Sequence, residues 1–194
     1  MISAGPQADK GGNIMSDKYY TVDIAGLKRD LLRCPLNDEL DIAALIIFGD
    51  VELTVHSASE LLKRVPEFDY IVTPEAKSIP LAYEMSRQSG KKYFVARKKP
   101  KVYMKDPVTV NVKSITTQGV QTLILDSIEG DELRGKRVIV VDDVISTGES
   151  LRALEELLYK FDCDIVAKTA ILSEGDSNDR DDIIVLGQLP LIKK

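Results

Sequence analysis

The sequence predicts an α/β domain, a largely parallel sheet with helices on both faces. Two observations carry this. Short apolar, β-branched runs alternate with amphipathic segments along most of the chain, as in successive strand–helix units. The 194 residues suit one domain with a sizeable buried core, and neither an internal repeat nor a domain-splitting linker interrupts them.

The first fourteen residues, MISAGPQADKGGNI, are polar, Gly-rich and aperiodic, and disorder is expected there. Lys10 to Met15 can be encoded so that a bacterial ribosome-binding sequence precedes a start codon at Met15. Translation is therefore expected to begin at Met15, with residues 1–14 foreign to the natural protein and residues 15–194 forming the domain. From Ile42 to Phe48 the chain is almost continuously apolar, which predicts a strand buried on both faces. SASELLKRV (57–65) has the spacing of a short amphipathic helix, and Tyr70–Val72 that of a brief strand. A Pro-containing loop leads to an amphipathic segment over 79–88, which Gly90 stops. Tyr93–Ala96 is the next strand and opens onto Arg97-Lys98-Lys99. Residues 100–119 are polar and Lys-rich, and the alternation of Val108, Val110 and Val112 suits a β-ribbon. Strands follow at 122–125, at 138 onward after the Arg134-Gly135-Lys136 turn, at 165–172 and at 183–186, with a helix over 149–159.

In such sheets ligands bind at the carboxyl ends of the strands. Attention falls on the loops 73–78, 97–119, 143–150 and 173–178. The strongest feature is VIVVDDVISTGES (138–150), four β-branched aliphatics running into two aspartates and then into small, hydroxylated residues. A helix N-terminus presents unpaired N–H groups and a partial positive charge. Small residues let those amides close on a phosphate, with the hydroxyls of Ser146, Thr147 and Ser150 as further donors. Asp142 and Asp143 would repel phosphate. Paired acceptors suit vicinal hydroxyls, directly or through a hard cation such as Mg²⁺. Phosphate on one side and a diol on the other describe a ribose 5-phosphate. No GxxxxGK[ST] loop is present.

This stretch resembles the signature of the type I phosphoribosyltransferases, and the resemblance extends over roughly residues 42–174. It implies the fold of that family: a mostly parallel central sheet flanked by helices, a small hood from the N-terminal region (15–47) and a flexible lid loop (100–119). It also implies that Asp142 and Asp143 hold the ribose hydroxyls of phosphoribosyl pyrophosphate and reach Mg²⁺ indirectly through it. Ser146, Thr147, Gly148, Glu149 and Ser150 would take the 5′-phosphate. TPEAKS (73–78) is similar to the pyrophosphate loop of adenine and xanthine phosphoribosyltransferases, which places Ala76 and Lys77 on pyrophosphate, although Pro74 and Lys77-Ser78 depart from the common pattern. Arg97, Lys98 and Lys101 supply charge for the same leaving group, a planar fork and two mobile point charges. Lys99 reads as a solvated basic edge.

Phe48-Gly49-Asp50-Val51 resembles the adenine-stacking segment of adenine phosphoribosyltransferases, with Phe48 and Gly49 as purine contacts. Taken alone, Phe48 is equally consistent with core packing. Adenine enzymes carry a lid glutamate where this chain has Thr116-Thr117-Gln118-Gly119, closer to xanthine enzymes, and no clear general base is identified. Glu174 stands where xanthine enzymes place a lysine; it is either an acceptor for an exocyclic amine, as on adenine, or a solvated loop acid. The expected reaction is adenine plus phosphoribosyl pyrophosphate giving AMP and pyrophosphate. The alternatives are the same chemistry on xanthine, hypoxanthine or guanine, or a regulator that senses phosphoribosyl pyrophosphate without turnover. Purine-operon repressors resemble this domain but add a DNA-binding module, for which residues 16–41 are too short and not markedly basic.

The net charge of −5 argues against a general grip on nucleic acid, and no apolar run is long enough to span a bilayer. Cys34 and Cys163 form no disulfide framework or zinc spacing and suit a cytoplasmic protein, and the lone His56 leaves no material for a histidine metal cluster. The family resemblance implies a homodimer. Mass spectrometry of the protein expressed from its own locus is expected to give a mass starting at residue 15; a mass that includes Met1 contradicts the internal start.

Overall fold

The computed structural model describes residues 7–8, 14–15, 18–113 and 120–194. At its centre lies a five-stranded, wholly parallel sheet in the order β12-β11-β10-β6-β7. These strands are β6 (Tyr70–Pro74), β7 (Tyr93–Ala96), β10 (Arg137–Ile145), β11 (Asp164–Glu174) and β12 (Ile184–Leu189). From β6 the chain moves outward to β7, whereas from β10 it moves the opposite way through β11 to β12. The direction of winding therefore switches between β6 and β10, which is where open α/β sheets form a crevice at their carboxyl edge.

The run at 138–141 shows why β10 is central. Val138 and Val140 pack into one core, Ile139 and Val141 into another, so both faces of the strand are covered. On the first face lie α4 (Glu149–Tyr159), α3 (Ser127–Leu133) and the antiparallel ribbon of β8 (Val108–Lys113) and β9 (Val120–Leu125). On the second lie α1 (Val51–Leu62) and α2 (Ile79–Ser89). Helices on both faces and a mostly parallel sheet are what the sequence predicts.

The hood is a separate antiparallel sheet in the order β1-β2-β3-β4-β5-β13. It comprises β1 (Gln7–Ala8), β2 (Ile14–Met15), β3 (Tyr19–Ile24), β4 (Leu27–Pro35), β5 (Leu40–Ala44) and β13 (Ile192–Lys193). β3 and β4 form a hairpin whose two-residue turn, Ala25-Gly26, has positive φ at both positions (51° and 92°), the turn that matches strand twist. Tyr20, Val22 and Ile24 of β3 are buried in the same core as α1 and α2. Gly187 permits the contact with β12, since a β-carbon there would lie 3.2 Å from the Asp23 carbonyl oxygen.

Three expectations are corrected. The 42–48 run is not a strand buried on both faces. β5 ends at Ala44 in the hood sheet, and beyond it Leu45 and Ile47 turn inward while Ile46 (61% exposed) and Phe48 (55%) turn out. The helix expected at 57–65 spans Val51–Leu62, because Asp50 Oδ1 caps it by accepting from the Leu53 N–H at 3.0 Å and tertiary packing outweighs the β-branched Val51, Thr54 and Val55. The strand at 120–125 belongs to the ribbon, not to the central sheet, and α3 follows it unforeseen.

Helix α3 docks through a glycine: a β-carbon on Gly130 would lie 2.0 Å from Cε1 of the buried Phe161. Gly130→Ala is expected to cost about 1–3 kcal/mol by overpacking. A thermal melt reads this directly, and an unchanged Tm would show that α3 is free to shift.

Candidate active site

Strand alternation sends the two aspartates at the end of β10 to opposite faces. Asp142 falls on the α4 side and Asp143 on the α1/α2 side. Asp143 is 4% exposed, and Lys77 from the loop after β6 brings Nζ to 2.6 Å from its Oδ2. Oδ2 is thus buried and paired by charge, without a hydrogen bond. The Asp143 N–H donates to Asp142 Oδ1 at 2.8 Å. Burial first, and then the Asp143 carboxylate beside it, push Asp142 up to about 7.

Two hollows meet at this pair. The first, with ≈ 230 Å³ of empty space open to solvent, is lined by Asp142, Val144 and residues 145–151. Its floor is the start of α4, where Gly148 in a left-handed conformation (φ 73°) is the N-terminal cap. No side chain caps that helix end, so its amides face the hollow's contents. Ser146, Thr147, Gly148, Glu149 and Ser150 all line it, and Glu149 N lies 3.5 Å from Thr147 Oγ1.

The second hollow, ≈ 560 Å³ of empty space, is lined by residues 74–78, Lys98, Leu123, Asp142, Asp143, Val144 and Ser150. It lies at the switch between β6 and β10, shares Asp142, Val144 and Ser150 with the first, and holds Ala76, Lys77 and Lys98. Glu75, unassigned from sequence, organises this wall. It accepts from the Lys98 N–H at 2.9 Å, which holds its carboxyl below the usual range, and Arg97 Nη2 lies 3.4 Å away. Ser78 joins it, accepting from Thr73 Oγ1 at 2.8 Å.

Not every expected residue converges. Arg97 lines neither hollow; its guanidinium is turned to Glu75 and its backbone bridges Ile124 of β9. Lys101 also lies outside both, in a turn where its carbonyl accepts from Met104 N. Phe48 and Gly49 sit between β5 and α1, away from either lining, with Gly49 at φ 84°. Glu174 closes β11, half-buried and in neither lining; burial raises its pKa and Lys77 partly offsets the rise. The segment Thr116-Thr117-Gln118-Gly119 lies outside the described residues. Among the described residues no cluster of three or more His, Cys, Asp or Glu could hold a metal ion, and no helix is long and apolar enough to cross a membrane.

Residues 56–187 match the Phosphoribosyl transferase domain family. The chain belongs to the phosphoribosyltransferase family. A hypoxanthine/guanine phosphoribosyltransferase of Methanococcus voltae is 32% identical over 162 residues, 75% of this chain and 83% of that one. An adenine phosphoribosyltransferase of Kosmotoga olearia is 32% identical over 113 residues, 58% of this chain and 62% of that one. Among solved structures, an adenine phosphoribosyltransferase from Thermoanaerobacter pseudethanolicus superposes with a TM-score of 0.69 at 21% identity, covering 81% of this chain and 95% of that one. This last similarity shows the fold, a mostly parallel sheet flanked by helices.

The raised pKa of Asp142 gives this phosphoribosyltransferase a pH-dependent stability. Because the folded-state pKa of Asp142 is raised, its contribution is fully present below the ordinary value of 3.8 and is lost as pH rises through about 7. Asp142→Asn is expected to flatten that loss between pH 4 and 7. At pH 8 it should melt above the parent by at least about 2–4 °C, the shift that 1 kcal/mol produces in a chain of this size. Parallel stability–pH curves for the two proteins would contradict it.

Proposed function

We propose that the protein is a purine phosphoribosyltransferase that converts adenine and phosphoribosyl pyrophosphate to AMP and pyrophosphate. The observation that carries the reading is the pair of anion-suited hollows sharing one wall, with two carboxylates at their junction. A sugar bearing a phosphate at one end and a diphosphate at C1′ would span them.

The α4 N-terminus and the hydroxyls of residues 146–150 receive the 5′-phosphate. Asp142 and Asp143 accept from the ribose 2′ and 3′ hydroxyls, and Asp143 Oδ2, ion-paired with Lys77 but without a hydrogen bond, fits that role. Pyrophosphate lies against Ala76, Lys77 and Lys98, with Arg97 and Lys101 adding charge at longer range. Mg²⁺, which Asp142 and Asp143 would reach indirectly through the bound sugar, would supply neutralising charge to the diphosphate. As the C1′–O bond to pyrophosphate breaks, positive charge develops on the ribosyl ring and negative charge on the leaving group. Lysines fixed at the leaving group stabilise that separation. The purine N9 closes the new bond to C1′ and releases its proton. A base nitrogen already acidified by binding does not require a strong general base. Glu174, at the carboxyl end of β11, accepts from the exocyclic amine of adenine, and the exposed Phe48 stacks on the ring. The family resemblance supports a homodimer as the working assembly.

The same chemistry on a 6-oxopurine is the second reading, supported by the 32% identity to the Methanococcus voltae protein. A turnover assay with Mg²⁺, phosphoribosyl pyrophosphate and each of adenine, guanine, hypoxanthine and xanthine is expected to yield AMP. Asp143→Asn should lower kcat about 10²-fold or more, and Glu174→Lys should weaken adenine use relative to the oxopurines. Product from an oxopurine alone would replace adenine, unchanged selectivity in Glu174→Lys would remove that residue, and binding without product would identify a sensor.

A further inference from the structure

The Asp- and Asn-rich stretch 175–182 takes no part in the chemistry above, yet it is firmly built. Gly175–Asp179 forms a 3₁₀ turn directly after β11. Asn178 anchors it: Nδ2 donates to the Leu189 carbonyl at 2.9 Å, Oδ1 accepts from Ser173 Oγ at 2.6 Å, and its carbonyl accepts from Gln188 Nε2 at 2.7 Å. The turn so fixed reaches the 146–150 loop at two points. Ser177, buried, donates its hydroxyl to the Ser146 carbonyl. Arg180 lays Nη1 against Gly148, where a β-carbon would come within 2.9 Å of it. The glycine therefore serves two needs, a left-handed cap for α4 and room for a guanidinium.

That guanidinium is aimed. Its Nε and Nη2 donate to the two Asp182 oxygens at 2.8 and 2.7 Å, a bidentate pair that leaves the Nη1 edge turned to the loop. Asp182 is itself held by Lys168 Nζ at 2.5 Å, and the same ammonium holds Glu155 of α4 at 2.8 Å. Two cations and two carboxylates thus tie β11, α4 and Arg180 into one unit. A cation at a helix N-terminus is disfavoured by the dipole alone. The placement becomes favourable once an anion sits at that end.

We propose that Arg180 is a positioning residue for the 5′-phosphate, packing the Ser146–Ser150 loop from outside the hollow and adding its charge to the field of the loop amides. The inference rests on the phosphoribosyltransferase reading above. Arg180 lines neither hollow, so it acts through the loop. It sets the affinity for the phosphorylated end of the sugar and leaves pyrophosphate and base affinity alone.

Calorimetric titration with ribose 5-phosphate and, separately, inorganic pyrophosphate tests this on the whole chain. Arg180→Gln is expected to weaken ribose 5-phosphate about three- to tenfold, less than an unpaired unit charge near a protein surface would give, because Asp182 already pairs the guanidinium. Pyrophosphate affinity should stay unchanged, and in turnover KM for phosphoribosyl pyrophosphate should rise while kcat holds. Arg180→Lys, which keeps the charge and loses the fork, should fall between. Parent-like binding of ribose 5-phosphate by Arg180→Gln, or equal weakening of both ligands, would overturn the proposal. Absence of ribose 5-phosphate binding by the parent protein would overturn it together with the reading on which it rests.

Discussion

Two adjacent carboxylates at the end of a strand buried on both faces are the constraint around which the molecule is arranged. The same alternation that sends Val138 and Val140 to one core and Ile139 and Val141 to the other sends Asp142 and Asp143 to opposite sides of the sheet. Like charges this close raise each other's energy, and burial adds to it. The surroundings answer with positive potential from both sides. The α4 N-terminus lies beyond Asp142, and the Lys77 ammonium lies against Asp143. The switch in winding between β6 and β10 brings the loop carrying Lys77 beside that carboxylate.

The two sides use different means to hold an anion, and the difference has a chemical sense on the proposed reading. Around residues 146–150 the donors are backbone amides and short hydroxyls, fixed in place by the helix and by the 3₁₀ turn behind it. A group that stays attached from substrate to product suits such a rigid cradle. Around residues 74–78 and 98 the donors are lysines on long stems, Lys98 anchored at its backbone by Glu75 and Lys77 resting its ammonium on Asp143. A leaving group that gains charge and then departs suits donors that move with it. In the free protein Lys77 neutralises Asp143, so its charge is already inside the site when a diphosphate arrives.

What the sequence made legible follows from whether the signal was local. β10, α4 and α2 are readable to within a residue or two because continuous β-branched aliphatics, a Thr-Gly turn and a glycine stop act within a few positions. The acid pair and the phosphate-type loop are readable for the same reason. The 42–48 run misleads because an apolar stretch reads alike whether it crosses the central sheet or leaves the hood with every second side chain exposed. α3 is hidden by Gly130, a poor helix former that is there for Phe161, thirty-one positions later. The contacts of Ser177 with Ser146, and of Arg180 with Gly148, are tertiary throughout. Only the abundance of Asp and Asn marked that loop, and abundance does not distinguish a solvated turn from a buttress.

The same distinction explains why the family is established while the base it takes is a proposal. The elements that define a phosphoribosyltransferase are contiguous in sequence, one strand, one loop and one helix. On the proposed reading the base contacts come from separate elements, the Phe48 segment and the end of β11, and no single local motif marks them. Relatives at similar identity carry adenine and hypoxanthine/guanine names. A glutamate at 174 offers an acceptor to an amine, whereas a lysine at that point would offer a donor to an oxo group. Discrimination between 6-amino and 6-oxo purines thus needs only one reversal of hydrogen-bond polarity at a half-buried position, which leaves the fold, the acid pair and both anion hollows untouched.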